Sequence, residues 1–100
     1  MIGQHRKRVD ANQPEIVDAL RACGMSVLSL AAVGKGCPDL LIGWRGRNIL
    51  LEVKDGSKPP SGRQLTDDEK DFRDSWRGSV FLVESVEQAV RICEEEASRG

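Results

Sequence analysis

Apolar positions along the chain recur in two rhythms, one suited to helices and one to strands. Ile16, Val17, Leu20 and Cys23 return at helical spacing between Asn12, a capping residue type followed by Pro14, and Gly24, which closes the segment. From Ser26 to Val33 the run SVLSLAAV is short, partly β-branched and bounded by glycines, which predicts a strand. Gly34, Gly36 and Pro38 interrupt it with the loop GKGCP. DLLIGW and RNILLEVK then flank Arg45-Gly46, the pattern of a β-hairpin. Residues 55–64, DGSKPPSGRQ, are loop. Thr66 and Glu69 have the spacing of a capping box, and Phe72 and Trp76 share one helical face before Gly78. SVFLVE (79–84) predicts a buried strand. Ser85 with Gln88 predicts a second capping box, leading Ala89, Val90, Ile92 and Cys93 into a final helix. The order α-β-β-β-α-β-α gives an α/β fold, a mixed β-sheet flanked by helices. No internal repeat interrupts it.

A length of 100 residues fits one domain, with a polar, basic N-terminal tail over 1–11 and the domain over 12–100. Hydrophobic residues make up 39% and charged ones 31%, a balance that excludes a disordered chain. The longest apolar runs fall far short of the roughly 20 residues of a membrane span, and no secretory pattern opens the chain, so no membrane partner is expected. Cys23, Cys37 and Cys93 form an odd set without a C-x-x-C pair, and His5 is the one histidine. Zinc and a disulfide framework are disfavoured; a soluble protein of a reducing compartment is expected.

A net charge of −1 argues against a nucleic-acid partner only until the chain is divided. Segments 1–8 and 33–63 each carry +3, while 9–32 carries −2 and 64–100 carries −5. Local fields decide whether a phosphate backbone is attracted.

The hairpin has a definite register. A turn centred on Arg45-Gly46 makes opposed residue numbers sum to 91, so that Ile42 faces Ile49 and Asp39 faces Glu52. Alternation then puts Glu52 and Lys54 on one face and Val53 on the other. Asp39, Glu52 and Lys54 therefore converge at one end of one face. Two carboxylates so placed repel, and a hard divalent cation removes the repulsion. Such an ion stabilises charge on a phosphoryl group and makes a bound water easier to deprotonate. Lys54, beside carboxylates, favours its charged form; its role is to position water and balance phosphoryl charge rather than to act as a neutral base. The bland alternative is a hairpin with charges near its solvated ends, but the register and the glycine-rich lead-in favour a site.

Pro38-Asp39 followed by Glu52-Val53-Lys54 resembles the PD-(D/E)xK nuclease motif. The stretch GKGCPDLLIGWRGRNILLEVKDG, with LTDDEKDFRDSW after it, resembles the VRR-NUC (virus-type replication–repair nuclease) family, especially its stand-alone phage-encoded members. The similarity runs from about Asn12 to Val90. It implies a PD-(D/E)xK, restriction-endonuclease-like core. It further implies that Asp39 and Glu52 ligate Mg²⁺ or Mn²⁺, with the Val53 backbone carbonyl a third ligand, and that Lys54 is the catalytic lysine. The activity implied is a metal-dependent DNA endonuclease acting as a homodimer on branched DNA, Holliday junctions included. A phage-encoded member would work in the cytoplasm of its bacterial host. Where the family often has a glutamine in the helix after the motif, this chain has Glu69, for which a capping role suffices; Gln64 nearby is taken as a loop residue.

Other residues are weaker candidates. Glu15 lies in the first turn of the first helix, where the dipole favours negative charge, and related nucleases can place a metal-contacting glutamate there. Lys35, between two glycines, is a candidate phosphate contact, as are Lys58 and Arg63 around Pro59-Pro60 and Arg6, Lys7 and Arg8 of the tail. Cys37 adjoins the site without a histidine partner, so thiol catalysis is not expected. Trp44, near the hairpin tip, is a candidate exposed dimer contact, whereas Trp76 with Phe72 reads as core. The rival function is a non-catalytic DNA-binding or adaptor module on a nuclease fold, which the intact Asp39, Glu52 and Lys54 set disfavours. A restriction-like enzyme ranks lower, because 100 residues leave little chain for sequence recognition.

Overall fold

The computed structural model describes residues 9–99, so Arg6, Lys7 and Arg8 lie outside the described residues. Among the described residues, three helices and four strands follow in the predicted order: α1 (Gln13–Ala22), β1 (Ser26–Ser29), β2 (Leu40–Trp44), β3 (Arg47–Val53), α2 (Asp67–Ser75), β4 (Val80–Val83) and α3 (Val86–Ala97). A short 3-10 turn, Pro60–Gly62, sits in the loop before α2. The strands lie side by side as β1-β2-β3-β4; β1/β2 and β2/β3 are antiparallel and β3/β4 is parallel. Among the described residues no helix is long and apolar enough to cross a membrane.

The hairpin has the expected register, with Leu40 opposite Leu51, Ile42 opposite Ile49 and Trp44 opposite Arg47. Its two-residue turn needs left-handed backbone at both central positions, and Arg45 (φ 51°) and Gly46 (φ 81°) supply it. β1 is shorter than expected. Leu30 donates its N–H to the Asp39 carbonyl (2.8 Å), and Val33 then turns back to donate to the Leu30 carbonyl (3.0 Å). The chain leaves the ladder there, as Val33 turns back onto Leu30 and the left-handed Gly34 and Gly36 carry it into the loop.

One face of the sheet carries Leu40, Ile42, Ile49, Leu51, Val53 and Val83, which pack with Ile16 and Leu20 of α1 and Ala89 and Cys93 of α3 as the core. Removing side chains of this size from water stabilises by about 1.5–3 kcal/mol each, which makes this face the main adhesive of the fold. α2, the crossover between the parallel strands β3 and β4, takes the other face and is held differently: Glu69 is its one buried residue.

Several expectations change. Asn12 does not cap α1; its side-chain amide donates to the carbonyls of Lys54 (3.1 Å) and Glu84 (3.2 Å), clamping the ends of β3 and β4 to the helix start. The second capping box forms by half, since Gln88 N–H donates to Ser85 Oγ (3.2 Å) while the Gln88 side chain accepts from Glu84 N–H (2.7 Å) instead of from Ser85. The tryptophans also exchange roles. Trp44 packs against the core and donates its indole N–H to Glu94 of α3 (3.2 Å), whereas Trp76 is 49% exposed and stacks on Phe72. The cause is tertiary: α3 returns over the hairpin tip, and the C-terminal end of α2 stands away from the sheet.

Candidate functional site

Asp39 occupies the bend just before β2, one step beyond the Leu40–Leu51 pair, so the register continues to Glu52. Its Oδ2 accepts a hydrogen bond from Val53 N–H (2.7 Å), which fixes the carboxylate against β3. Lys54 follows β3 directly, and its N–H extends the parallel pairing by donating to the Val83 carbonyl (2.9 Å). Its side chain lies on the Glu52 face, with Nζ 3.8 Å from Glu52 Oε2 and 2.9 Å from Glu69 Oε1. All four groups are sheltered: relative exposure is 3% for Asp39 and Glu52, 8% for Lys54 and 5% for Glu69.

Three carboxylates and one ammonium, all nearly buried, share this end of the sheet. Asp39 and Glu52 present hard oxygen donors, with the Val53 carbonyl between Glu52 and Lys54 in the chain. Among the described residues no group of three or more His, Cys, Asp or Glu side chains is placed to hold a metal ion. Mg²⁺ does not require such a group, since it binds through one or two carboxylates and keeps water and phosphate oxygens for its other positions. Asp39 and Glu52 are two carboxylates of the type such an ion takes.

Sequence reading missed Glu69 as part of this cluster. Its capping box does form, with Thr66 N–H donating to Glu69 Oε1 (2.8 Å) and Glu69 N–H donating to Thr66 Oγ1 (3.2 Å), but the same Oε1 also takes the Lys54 ammonium. A signal was present. Glu69, Phe72 and Trp76 fall at i, i+3 and i+7, so the glutamate heads the face that α2 turns toward the sheet.

The glycine-rich loop packs the start of α2 against this cluster. Gly36 has φ +78°, and a Cβ there would lie 2.1 Å from the Asp68 carbonyl oxygen, so only glycine allows the approach. Lys35 beside it is exposed and also left-handed (φ 56°), a costly conformation for a side-chain-bearing residue.

The remaining candidates lie elsewhere. Glu15 is exposed and lines a separate cavity of about 540 Å³ with Asn12, Asp55, Ser57, Glu84 and Glu87; Asp39, Glu52 and Lys54 do not line it. Lys58 pairs with Asp10 at 3.6 Å and Arg63 with Glu84 at 3.1 Å, so a phosphate would compete with a carboxylate for each. Asp55, after Lys54, is held below its ordinary value by hydrogen bonds from the Ser57 side chain and backbone, which tighten the loop as it leaves the site. Cys37 lines an apolar groove of about 450 Å³ with Leu41, Leu50, Phe72 and Trp76 on the α2 side of the sheet.

Comparison of the chain with family models, with curated proteins and with solved structures returns no match.

Proposed function

We propose that the chain is a divalent-metal-dependent DNA endonuclease with the PD-(D/E)xK core of the VRR-NUC family, hydrolysing phosphodiester bonds in branched DNA such as four-way junctions. The observation that carries the proposal is the meeting of a buried Asp39, Glu52 and Lys54 at one end of one hairpin, with Lys54 Nζ between two carboxylates. Ionisable side chains of this kind are seldom buried together, because taking charge out of water is costly even when it is paired.

In this mechanism Asp39 and Glu52, with the Val53 carbonyl, hold Mg²⁺ or Mn²⁺. The bound ion supplies charge stabilisation at the phosphoryl oxygens and makes a coordinated water easier to deprotonate. Asp39 is kept in place by Val53 N–H, so its carboxylate needs no reorganisation when the substrate arrives. Lys54 directs its N–H groups toward the scissile phosphate and balances the negative charge that builds there. Lys35, exposed on the loop leading into Asp39, contacts a neighbouring phosphate. Each chain carries one such set, so paired cuts across a junction call for two copies, and a homodimer is part of the proposal.

The test is incubation of the purified protein with four-way junction, flap, duplex and single-stranded DNA, each with Mg²⁺, Mn²⁺ or EDTA. Metal-dependent cleavage that favours the branched substrates supports the proposal. Binding to junctions without cleavage in any metal would mark the chain as a DNA-binding module on a nuclease fold.

A further inference from the structure

We infer that Glu69 is a positioning residue for Lys54, and that one oxygen, Glu69 Oε1, ties the folding of the α2 N-terminus to the aim of the site lysine. The inference rests on the proposed hydrolase reading and adds to it the element that sets the lysine's direction.

A lysine side chain has four flexible torsions, and an ammonium held only by a 3.8 Å ion pair to Glu52 would sample many of them. The 2.9 Å bond to Glu69 removes that freedom, because Glu69 is itself immobilised. Its Oε1 accepts from Thr66 N–H at 2.8 Å, its own N–H is held by Thr66 Oγ1, and it is 5% exposed. Behind it, the backbone of Asp68 and Glu69 lies against Gly36, whose loop runs on to Asp39. Both walls of the site, the strand pair and the helix start, therefore meet through Lys54 and Glu69. An ammonium has three N–H donors, and the Glu69 bond uses one in a fixed direction, which sets where the others can point. Glu69 is also the one buried residue of α2, so the contact that aims the lysine lies where the helix meets the rest of the fold.

A cap and an aiming device predict different consequences. Thr66→Ala removes the Thr66 Oγ1 bond and leaves both bonds to Glu69 Oε1; Glu69→Ala removes both bonds to Oε1 and leaves the backbone N–H of residue 69 on Thr66 Oγ1; Glu69→Gln keeps an oxygen acceptor without the charge. The first readout is the Lys54 side-chain ammonium resonance of the metal-free protein by NMR. A slowly exchanging, hydrogen-bonded signal is expected in the wild type and Thr66→Ala and is expected to vanish in Glu69→Ala. The second is steady-state cleavage of junction DNA with Mg²⁺. Glu69→Ala should lower kcat about 100-fold, the scale of a displaced catalytic group, with KM little changed. Glu69→Gln should recover part of that loss, and Thr66→Ala should keep kcat within about twofold. Equal losses of kcat in Thr66→Ala and Glu69→Ala, or an ordered Lys54 signal in Glu69→Ala, would overturn the inference. If the wild type cleaves no DNA, the hydrolase reading fails by itself, and the ammonium signal still decides whether Glu69 holds Lys54.

Discussion

Asp39 Oδ2 and the backbone nitrogen of Val53 are 2.7 Å apart, which makes a side chain from the bend before β2 the partner of a buried main-chain donor of β3. The carboxylate thus has a structural role beside the metal-binding role proposed for it, and substitutions can separate the two. Asp39→Asn retains an oxygen that accepts from Val53 N–H but loses the charge. It should fold nearly as stably as the wild type and bind Mn²⁺ far more weakly by calorimetry. Asp39→Ala orphans the N–H and should cost about 1–3 kcal/mol in urea denaturation.

The loop before Asp39 holds opposite liabilities at adjacent residues. Gly36→Ala places a Cβ within 2.1 Å of the Asp68 carbonyl oxygen and should destabilise by more than about 2 kcal/mol while disturbing the α2 start. Lys35→Gly relieves a left-handed residue and should raise stability by up to about 1 kcal/mol. If Lys35 touches phosphate, the same variant binds junction DNA more weakly and with a shallower salt dependence.

Asn12 distinguishes a clamp from a cap. Its amide donates to two carbonyls on separate strands, so Asn12→Asp, an equally good residue for a helix start, should destabilise by about 1–3 kcal/mol because a carboxylate cannot donate to either. A thermal melt in which Asn12→Asp equals or exceeds the wild type would show that capping is its role after all.

These residues mark the limit of what could be read along the chain. Side-chain alternation and turn chemistry are local, so the hairpin register from Leu40 opposite Leu51 to Trp44 opposite Arg47 was legible. Glu69 and Asn12 were hidden by adequate local explanations, a capping box and a helix start. Their true partners are Lys54, 15 residues from Glu69, and Lys54 and Glu84, 42 and 72 residues from Asn12. The exchange between Trp44 and Trp76 was illegible for a related reason: no periodicity says which helix will cover which end of a sheet.

The Cys93 thiol gives the pH dependence of the core. Burial, with a smaller contribution from the nearby Glu94 charge, pushes it up to about 11 from an ordinary 9.0. A raised folded value means that the stabilisation is complete below pH 9 and is lost as pH climbs toward 11, by about 2–3 kcal/mol for the group. Urea midpoints between pH 8.5 and pH 11 should fall more steeply in the wild type than in Cys93→Ala, and thiol reagents at neutral pH should modify exposed Cys23 long before Cys93.

The claim that matters most is that Lys54 acts on a phosphodiester beside two metal-binding carboxylates. Its direct test is the rate of Mg²⁺-dependent cleavage of a four-way junction by the wild type and by Lys54→Met, which keeps the aliphatic stem and removes the ammonium. Circular dichroism and junction affinity should be nearly unchanged, while cleavage should fall by about 100-fold or more, the scale of a lost catalytic group. Cleavage by Lys54→Met at the wild-type rate would contradict the account.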